Sequence, residues 1–339
     1  MTKVLTVGEM MLRLKPQDHQ RILQANTFEA NYGGSEANVA VSLALLGDDA
    51  QYLTKLPDNA LGQMAAGTLR HYGVDTAKLL WGGPRLGIYF FEKGASIRST
   101  NVVYDRAGSS FAVAQATEFD WAHLFADVDY FYFSGITPAL SDELAAAMLS
   151  AVQYCQAHNI TVCVDANYRG KMWSPAKAQK VMGQLMPYVN VFLANDEDFE
   201  ASLGIPAFDG DMRTGIDQLD HFADAMAKVA KKYPNIHTIA SVVRNIHSVE
   251  NHQCTALLWQ NGQTYQGPVY DMHVFEGVAS GDAFGAGLLH GLIHHFEPQA
   301  LIDYADTASA LKLTISGDLN LVSDADIRAT MHSAGGVNR

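Results

Sequence analysis

Gly277-Val-Ala-Ser-Gly-Asp-Ala-Phe-Gly-Ala-Gly287 places small residues ahead of an apolar helical run and sets Asp282 in its first turn. Backbone N–H groups at a helix start have no intrahelical acceptor, so they point outward and bind anions. Small side chains let phosphate oxygens approach the backbone. Phosphoryl transfer needs such donors, because charge spreads over the equatorial oxygens in the transition state. It also needs a group that takes the proton of the attacking hydroxyl, and a carboxylate beside the anion site can do so. Asp282, with the backbone of Ala279, Ser280 and Gly281, offers both; the same residues also fit a plain helix cap. Two commoner nucleotide patterns are absent. No G-x-x-x-x-G-K-[ST] occurs, and the first apolar run leads into Glu9-Met10-Met11 rather than a glycine-rich turn.

Outward from this segment, strand-like and helix-like stretches alternate. Short apolar runs at residues 4–7, 52–56, 130–133, 161–165, 191–194 and 238–243 are mostly followed by helical periodicity, the pattern of a parallel sheet covered on both faces. Leu144, Met148, Val152 and Cys155 recur at helical spacing behind Ser141, Asp142 and Glu143. Ser174 caps a helix over 175–186 with Pro175 in its first turn, and Pro187 stops it. The end of the chain reads as helices over 280–295, 298–316 and 324–332. Residues 12–32 and 86–106 break the rhythm and read as a small inserted sheet, the second as antiparallel strands around a turn at Lys93-Gly94. Residues 254–268, centred on Asn261-Gly262, read as a late hairpin. The expected organisation is one domain over 1–335 with these insertions, and a tail at 336–339.

Composition narrows the function. The 339 residues are 48% hydrophobic and carry a net charge of −13, which supports a large core and opposes nucleic-acid binding. Cys155, Cys163 and Cys254 have no C-x-x-C spacing, which fits a reducing compartment rather than a disulfide framework or zinc site. Neither a secretory leader nor a membrane-length apolar run is read, so a cytoplasmic protein without membrane partners is expected.

The 277–287 segment resembles the C-terminal signature of the PfkB (ribokinase-like) carbohydrate kinases, D-x-x-G-A-G-D-x-F-x-x-G. Gly33-Gly34-Ser-Glu-Ala-Asn38-Val-Ala40 resembles the N-terminal signature of that family. The likeness runs from about Val4 to Val322 and is strongest to the 2-keto-3-deoxygluconate kinase branch. Its carriers there are Leu86-Gly-Ile-Tyr89, Tyr104-Asp-Arg106, Ser134-Gly-Ile-Thr, Asp165-Ala-Asn167-Tyr-Arg169 with Trp173, and residues 310–323. The resemblance implies an α/β fold, a three-layer α/β/α sandwich with a β-sheet lid. It implies transfer from ATP, with Mg²⁺, to a small sugar acid, giving a 6-phosphate. A kinase of fructose or another neutral sugar, and a catalytically weak sugar-binding protein on this fold, are the alternatives.

The resemblance also implies roles. Asp282 is the base, and Ala279, Ser280 and Gly281 form the anion hole. Gly33, Gly34 and Asn38 bind the sugar, Tyr89 and Tyr104 contact its oxygens, and Arg106 and Arg169 hold its acid group. A guanidinium can bind a carboxylate bidentately, which a neutral sugar does not require. Asn167, Asn195 and Arg244 fall on the nucleotide side. Asp198 stands where Glu is usual in an N-x-x-E element that helps position magnesium; a capped helix start explains it equally. Homo-oligomers through an apolar lid face of Ile88, Phe90 and Val102 are expected. The chain departs from the family at Glu276 (for Asp), Ala279 (for Gly) and Ser280 (for Ala). It departs again at Ser241-Val-Val-Arg244-Asn-Ile-His247, where a Thr and a Lys-x-Gly turn are usual. Ala279 disfavours positive φ. His290, His294 and His295, without a carboxylate partner in sequence, read as a solvated helix face.

Overall fold

In chain order, β1 (Lys3–Val7), β2 (Met11–Pro16) and β3 (Phe28–Gly33) lead to α1 (Ser35–Leu46), β4 (Asp49–Leu53) and β5 (Lys55–Leu56). Next come α2 (Ala60–His71), β6 (Leu80–Trp81), β7 (Gly87–Glu92), β8 (Asn101–Asp105), α3 (Trp121–Leu124) and β9 (Tyr130–Ser134). They are followed by α4 (Ile136–Leu140), α5 (Asp142–His158), β10 (Thr161–Asp165), α6 (Pro175–Leu185), β11 (Val191–Leu193), α7 (Asp198–Leu203) and α8 (Leu219–Lys232). Last are β12 (Thr238–Ile246), β13 (Asn251–Gln260), β14 (Gln263–Gln266), β15 (Tyr270–His273), α9 (Ser280–Ile293), α10 (Pro298–Lys312) and α11 (Asp324–His332). The computed structural model describes residues 2–332; the domain end expected at 335 and the tail at 336–339 lie outside them.

The main sheet has the order β14-β13-β12-β11-β10-β9-β1-β4, with β15 also on β13. From β12 to β4 every pairing is parallel, and β13 runs antiparallel to β12. Parallel neighbours need long crossovers, and these cover both faces with helices. Along β1 the alternation is direct. Leu5 and Val7 join the core that holds Met148 of α5, and Val4 joins the core that holds Leu288 of α9. Leu144, Met148, Val152 and Cys155 are all buried, and Ser141 and Ser174 cap their helices by accepting the Leu144 and Lys177 N–H groups. The late hairpin pairs Gln260 with Gln263, leaving Asn261 (φ 52°) and Gly262 (φ 81°) as a two-residue loop. Two positive φ values are what a type I′ turn requires. Among the described residues no helix is long and apolar enough to cross a membrane.

The run at 52–56 is two strands. β4 closes the edge of the main sheet beside β1, and the chain then pairs as β5 with β6 in a separate ribbon. The last long helices end earlier than periodicity suggested, at Ile293 and Lys312.

The lid sheet has the order β3-β2-β7-β8, with antiparallel outer pairs and a parallel centre, β2 on β7. Lys93-Gly94 is not its turn. Residues 93–100 form the connection, which bends where Ala95 and Arg98 exchange backbone hydrogen bonds of 2.9 Å around Ser96 (φ 54°). The face expected for Val102 is also corrected. Phe90 pairs with Val103, so Val103 shares the outer face, where Phe28 packs on Phe90 at 5.6 Å between ring centroids. Val102 lies inward with Met11, Tyr89 and Phe91, because neighbours along a strand face opposite sides.

Candidate active site

The inner lid face and the carboxyl ends of the parallel strands enclose a cavity of about 440 Å³. Its walls come from Glu9 after β1, Ile136 after β9, Asp165 at the end of β10, Asn195–Asp198 after β11, Val242 and Arg244 on β12, and residues 277–282 at the mouth of α9. Crevices at strand carboxyl ends are where open α/β sheets bind ligands. Of the residues singled out in the sequence, Gly34, Asn38, Tyr89, Tyr104, Arg106, Asn167, Arg169, Asn195, Asp198, Arg244, Ala279, Ser280, Gly281 and Asp282 line it. Gly33 stands just behind.

Asp282 is fixed from the opposite helix. Ser35 Oγ donates to its Oδ1 at 2.7 Å and Asn38 Nδ2 to its Oδ2 at 2.7 Å. Asn167 Nδ2 in turn donates to Ser35 Oγ at 3.2 Å. Asn38 and Asn167, expected to meet sugar and nucleotide, thus orient the carboxylate, directly or through Ser35. The backbone N–H groups of Ser280, Gly281 and Asp282 have no protein partner among the described residues. The site therefore presents a carboxylate beside open amides at the positive end of α9. Burial pushes the Asp282 carboxyl up from its ordinary range, against the hydrogen bonds from Asn38 and Ser35 and the charge of Arg169. Burial, then the charges of Asp198 and Asp282, push Asp165 well up. Glu36, buried in the cavity wall with Ser134 Oγ donating to it at 2.6 Å, is pushed by burial to about 7.

Ala279 adopts the positive φ that its side chain disfavours (φ 61°, ψ 15°), as the cap residue of α9. An L-residue with a Cβ is strained by about 1–2 kcal/mol in this left-handed region. Glycine would relieve that strain and lose part of the gain to its freer unfolded chain. Ala279→Gly should therefore raise stability by about 0.5–1 kcal/mol, seen as a higher urea midpoint. A lower midpoint would mean the neighbouring contacts already absorb the strain.

The glycine pair is set by contact. A Cβ on Gly34 would lie 2.1 Å from the Glu9 carbonyl oxygen, and one on Gly33 would lie 2.8 Å from Cβ of Asp318. Asp318 lines the cavity and was not singled out as a site residue. Tyr89 Oη donates to it, and Arg13 Nη1 donates to it at 2.8 Å. Arg13 is fully buried, stacks over Phe91 at 4.2 Å and also pairs with Glu276, which accepts from Lys15 at 2.8 Å. Burial alone would raise Glu276, but the charges of Arg13 and Lys15 hold it at about 2.

Arg106 and Arg169 both face the cavity. Glu9 accepts from Nε (2.8 Å) and Nη2 of Arg106, and Nη1 lies 4.0 Å from Met172 Sδ. Tyr104 is half-exposed, 5.8 Å from the ring of Tyr89, and beneath the Arg106 guanidinium at 5.5 Å. Arg169 is exposed and makes no side-chain hydrogen bond among the described residues, and its charge acts on Asp165, Asp198 and Asp282.

In the cavity wall after β11, Asp198 accepts from the N–H of Tyr168 and of Asn195, each at 2.8 Å. Both its oxygens thus serve the backbone, and burial lifts it to about 6 against those amides. Asn195 Oδ1 accepts the Val242 N–H at 2.7 Å, tying β11 to β12. Arg244 pairs with Asp196, so its charge is partly spent.

Of the three histidines expected on a solvated face, His294 and His295 are exposed, but His290 is buried. Asp48 joins His290 and His294: its Oδ2 lies 2.8 Å from His290 Nδ1 and its Oδ1 2.9 Å from His294 Nε2. The carboxylate partner arrives from 242 positions away, so spacing within α9 does not reveal it.

A family profile described as pfkB family carbohydrate kinase matches residues 1–325. A 2-dehydro-3-deoxygalactonokinase of Haloferax volcanii is 32% identical over 338 residues, covering 99% of each chain. The crystal structure of 2-dehydro-3-deoxygluconokinase from Thermotoga maritima superposes with a TM-score of 0.94 at 41% identity, covering 98% of this chain and 100% of that one. The fold is shared more distantly by a fructokinase with bound ATP from Xylella fastidiosa (TM-score 0.77, 17% identity, 97% and 98% covered).

Proposed function

This chain belongs to the pfkB family of carbohydrate kinases, and on that premise we propose that it moves the γ-phosphoryl group of ATP onto the terminal hydroxyl of 2-keto-3-deoxygluconate or a near relative, with Asp282 as base. The observation that carries this reading is the joint placement in one cavity of Asp282, held by Ser35 and Asn38 at an open helix mouth, and two arginines. Asp282 takes the hydroxyl proton as the oxygen attacks phosphorus. The amides of Ala279, Ser280 and Gly281 bind the charge that builds on the phosphoryl oxygens. Arg169 and the Nη1 edge of Arg106 hold the acid group, with Tyr104 beside them. The lid keeps water, a competing acceptor, away from the phosphoryl group.

Mg²⁺ fits the donor set. Asp165 and Asp198 are buried acids whose mutual repulsion a cation relieves, and Mg²⁺ keeps several waters and needs few direct carboxylates. Asp165 is the freer of the two: Asn167 N–H binds its Oδ1 at 3.0 Å, whereas Asp198 has both oxygens engaged. When bound, the ion neutralises phosphate charge. The buried free thiols Cys155, Cys163 and Cys254 support a cytoplasmic setting. The outer lid face, with half-buried Ile88 and Phe90 and exposed Val103, supports self-association.

One observation favours a neutral sugar: Glu9 already occupies two nitrogens of Arg106. The arginines decide between the readings. Arg106→Leu and Arg169→Leu should each lower kcat/KM for the sugar acid by about 10- to 100-fold, the loss of a hydrogen bond to a charged group. Turnover of fructose by the same variants should change only a fewfold. Equal losses on both substrates would favour the neutral-sugar reading.

A further inference from the structure

We propose that Asp48, His290 and His294 form a binding site for a borderline divalent transition-metal ion such as Zn²⁺, about one helix length from the phosphoryl-transfer cavity. Asp48 follows Gly47, whose left-handed conformation (φ 96°) ends α1 and turns the chain toward the last turn of α9. His290 and His294 are one turn apart there and present their rings to the same carboxylate. The three ligand atoms all lie within 4.8 Å of one another. Asp48 Oδ2 sits 2.8 Å from His290 Nδ1 and Asp48 Oδ1 2.9 Å from His294 Nε2. These contacts are a few tenths of an ångström under the separation of about 3.3 Å between ligands of a tetrahedral ion with bonds of about 2.0–2.1 Å, so a small parting of the side chains would seat the ion. Two imidazoles and one carboxylate form a set that zinc takes with water in the fourth position.

An outer contact points the same way. Ligating histidines commonly offer their second ring nitrogen to a carboxylate, which fixes the tautomer and raises basicity. His290 Nε2 faces Asp324 Oδ1 at 3.7 Å, and Asp324 is itself held by Tyr304 Oη at 2.9 Å and by Arg328. Tyr304 stacks on the His290 ring at 5.2 Å, limiting its rotation. The side chains of Asp48 and His290 are buried, whereas His294 is 49% exposed, which leaves an entry side for the ion. The net charge of −13 favours cation approach. A bound ion would join α1, α9 and, through Asp324, α11, so it should stabilise the fold as any ligand of the native state does.

The test is calorimetric titration of the tag-free, chelator-stripped full chain with zinc chloride, with thermal unfolding recorded in parallel. Acids in the cavity can also take zinc, so the difference between variants is the readout. His294→Ala, at an exposed position that the fold does not need, should lose one binding event and the zinc-dependent rise in unfolding temperature. Asp48→Asn should do the same, and Asp324→Asn should weaken that event by about 10- to 100-fold. Asp282→Asn should keep it. An isotherm unchanged by His294→Ala, or one lacking any event lost in that variant, overturns the proposal and leaves a hydrogen-bonded His–Asp–His cluster.

Discussion

Asp282→Asn should lower kcat by about 10³-fold, the middle of the range for a positioned general base. Asparagine keeps the shape and can still meet Ser35 and Asn38, so sugar and nucleotide should bind nearly as before. The pH profile makes the assignment sharper. A base acts only when deprotonated, and burial raises the Asp282 carboxyl. Turnover by the unchanged enzyme should therefore fall on acidification with a midpoint above the ordinary carboxylate range, and the residual rate of the variant should lack that limb. Coupled measurement of ADP release from pH 4 to 9 reads both. A variant within a fewfold of the parent rate would remove Asp282 from the chemistry.

The second large effect is on stability. Arg13 is a buried cation between two acids, Glu276 from the segment ahead of α9 and Asp318 from the loop after α10. It ties lid strand β2 to the segment that leads into the mouth of α9. Arg13→Met removes one partner and leaves two carboxylates buried, which costs about 3–5 kcal/mol for a broken buried pair. The expected result is a large drop in urea midpoint at pH 7. Glu276 has its folded pKa held at about 2, below the ordinary 4.5, so its contribution is present above about pH 4.5 and lost as pH falls through 2. The parent protein should lose that contribution over this window, and Arg13→Met should lose less, having less to lose. A variant as stable as the parent at pH 7 would mean the acids find other partners.

What the sequence made legible follows from range. Continuous apolar strands and the 3.6-residue spacing of Leu144, Met148, Val152 and Cys155 are local patterns, and they led to the parallel sheet covered on both faces. Asn261-Gly262 was readable because both residues tolerate positive φ. The lid was visible as two segments outside the βα rhythm, but its register was not. Alternation alone does not say whether Val102 or Val103 faces outward until the pairing with Phe90 fixes it. The two signatures were likewise legible as short motifs, and what joins them was not. Ser35 and Asn38 reach Asp282 across more than 240 positions, and Arg13 reaches Asp318 across 305. Asp48 meets His290 only because a glycine turn ends α1 where α9 also ends. Such contacts arise from packing, and no spacing rule along one segment anticipates them. Ala279 shows the converse: the sequence argued against a positive φ, and the tertiary fold imposed one.

The most direct test is phosphorus NMR of the product formed from ATP and 2-keto-3-deoxygluconate by the parent enzyme and by Asp282→Asn. A new phosphate ester on the terminal hydroxyl with the parent, and almost none with the variant over the same interval, is the result this account predicts. An ester at another position, equal yield from both proteins, or ester formed from fructose but not from the sugar acid would contradict it.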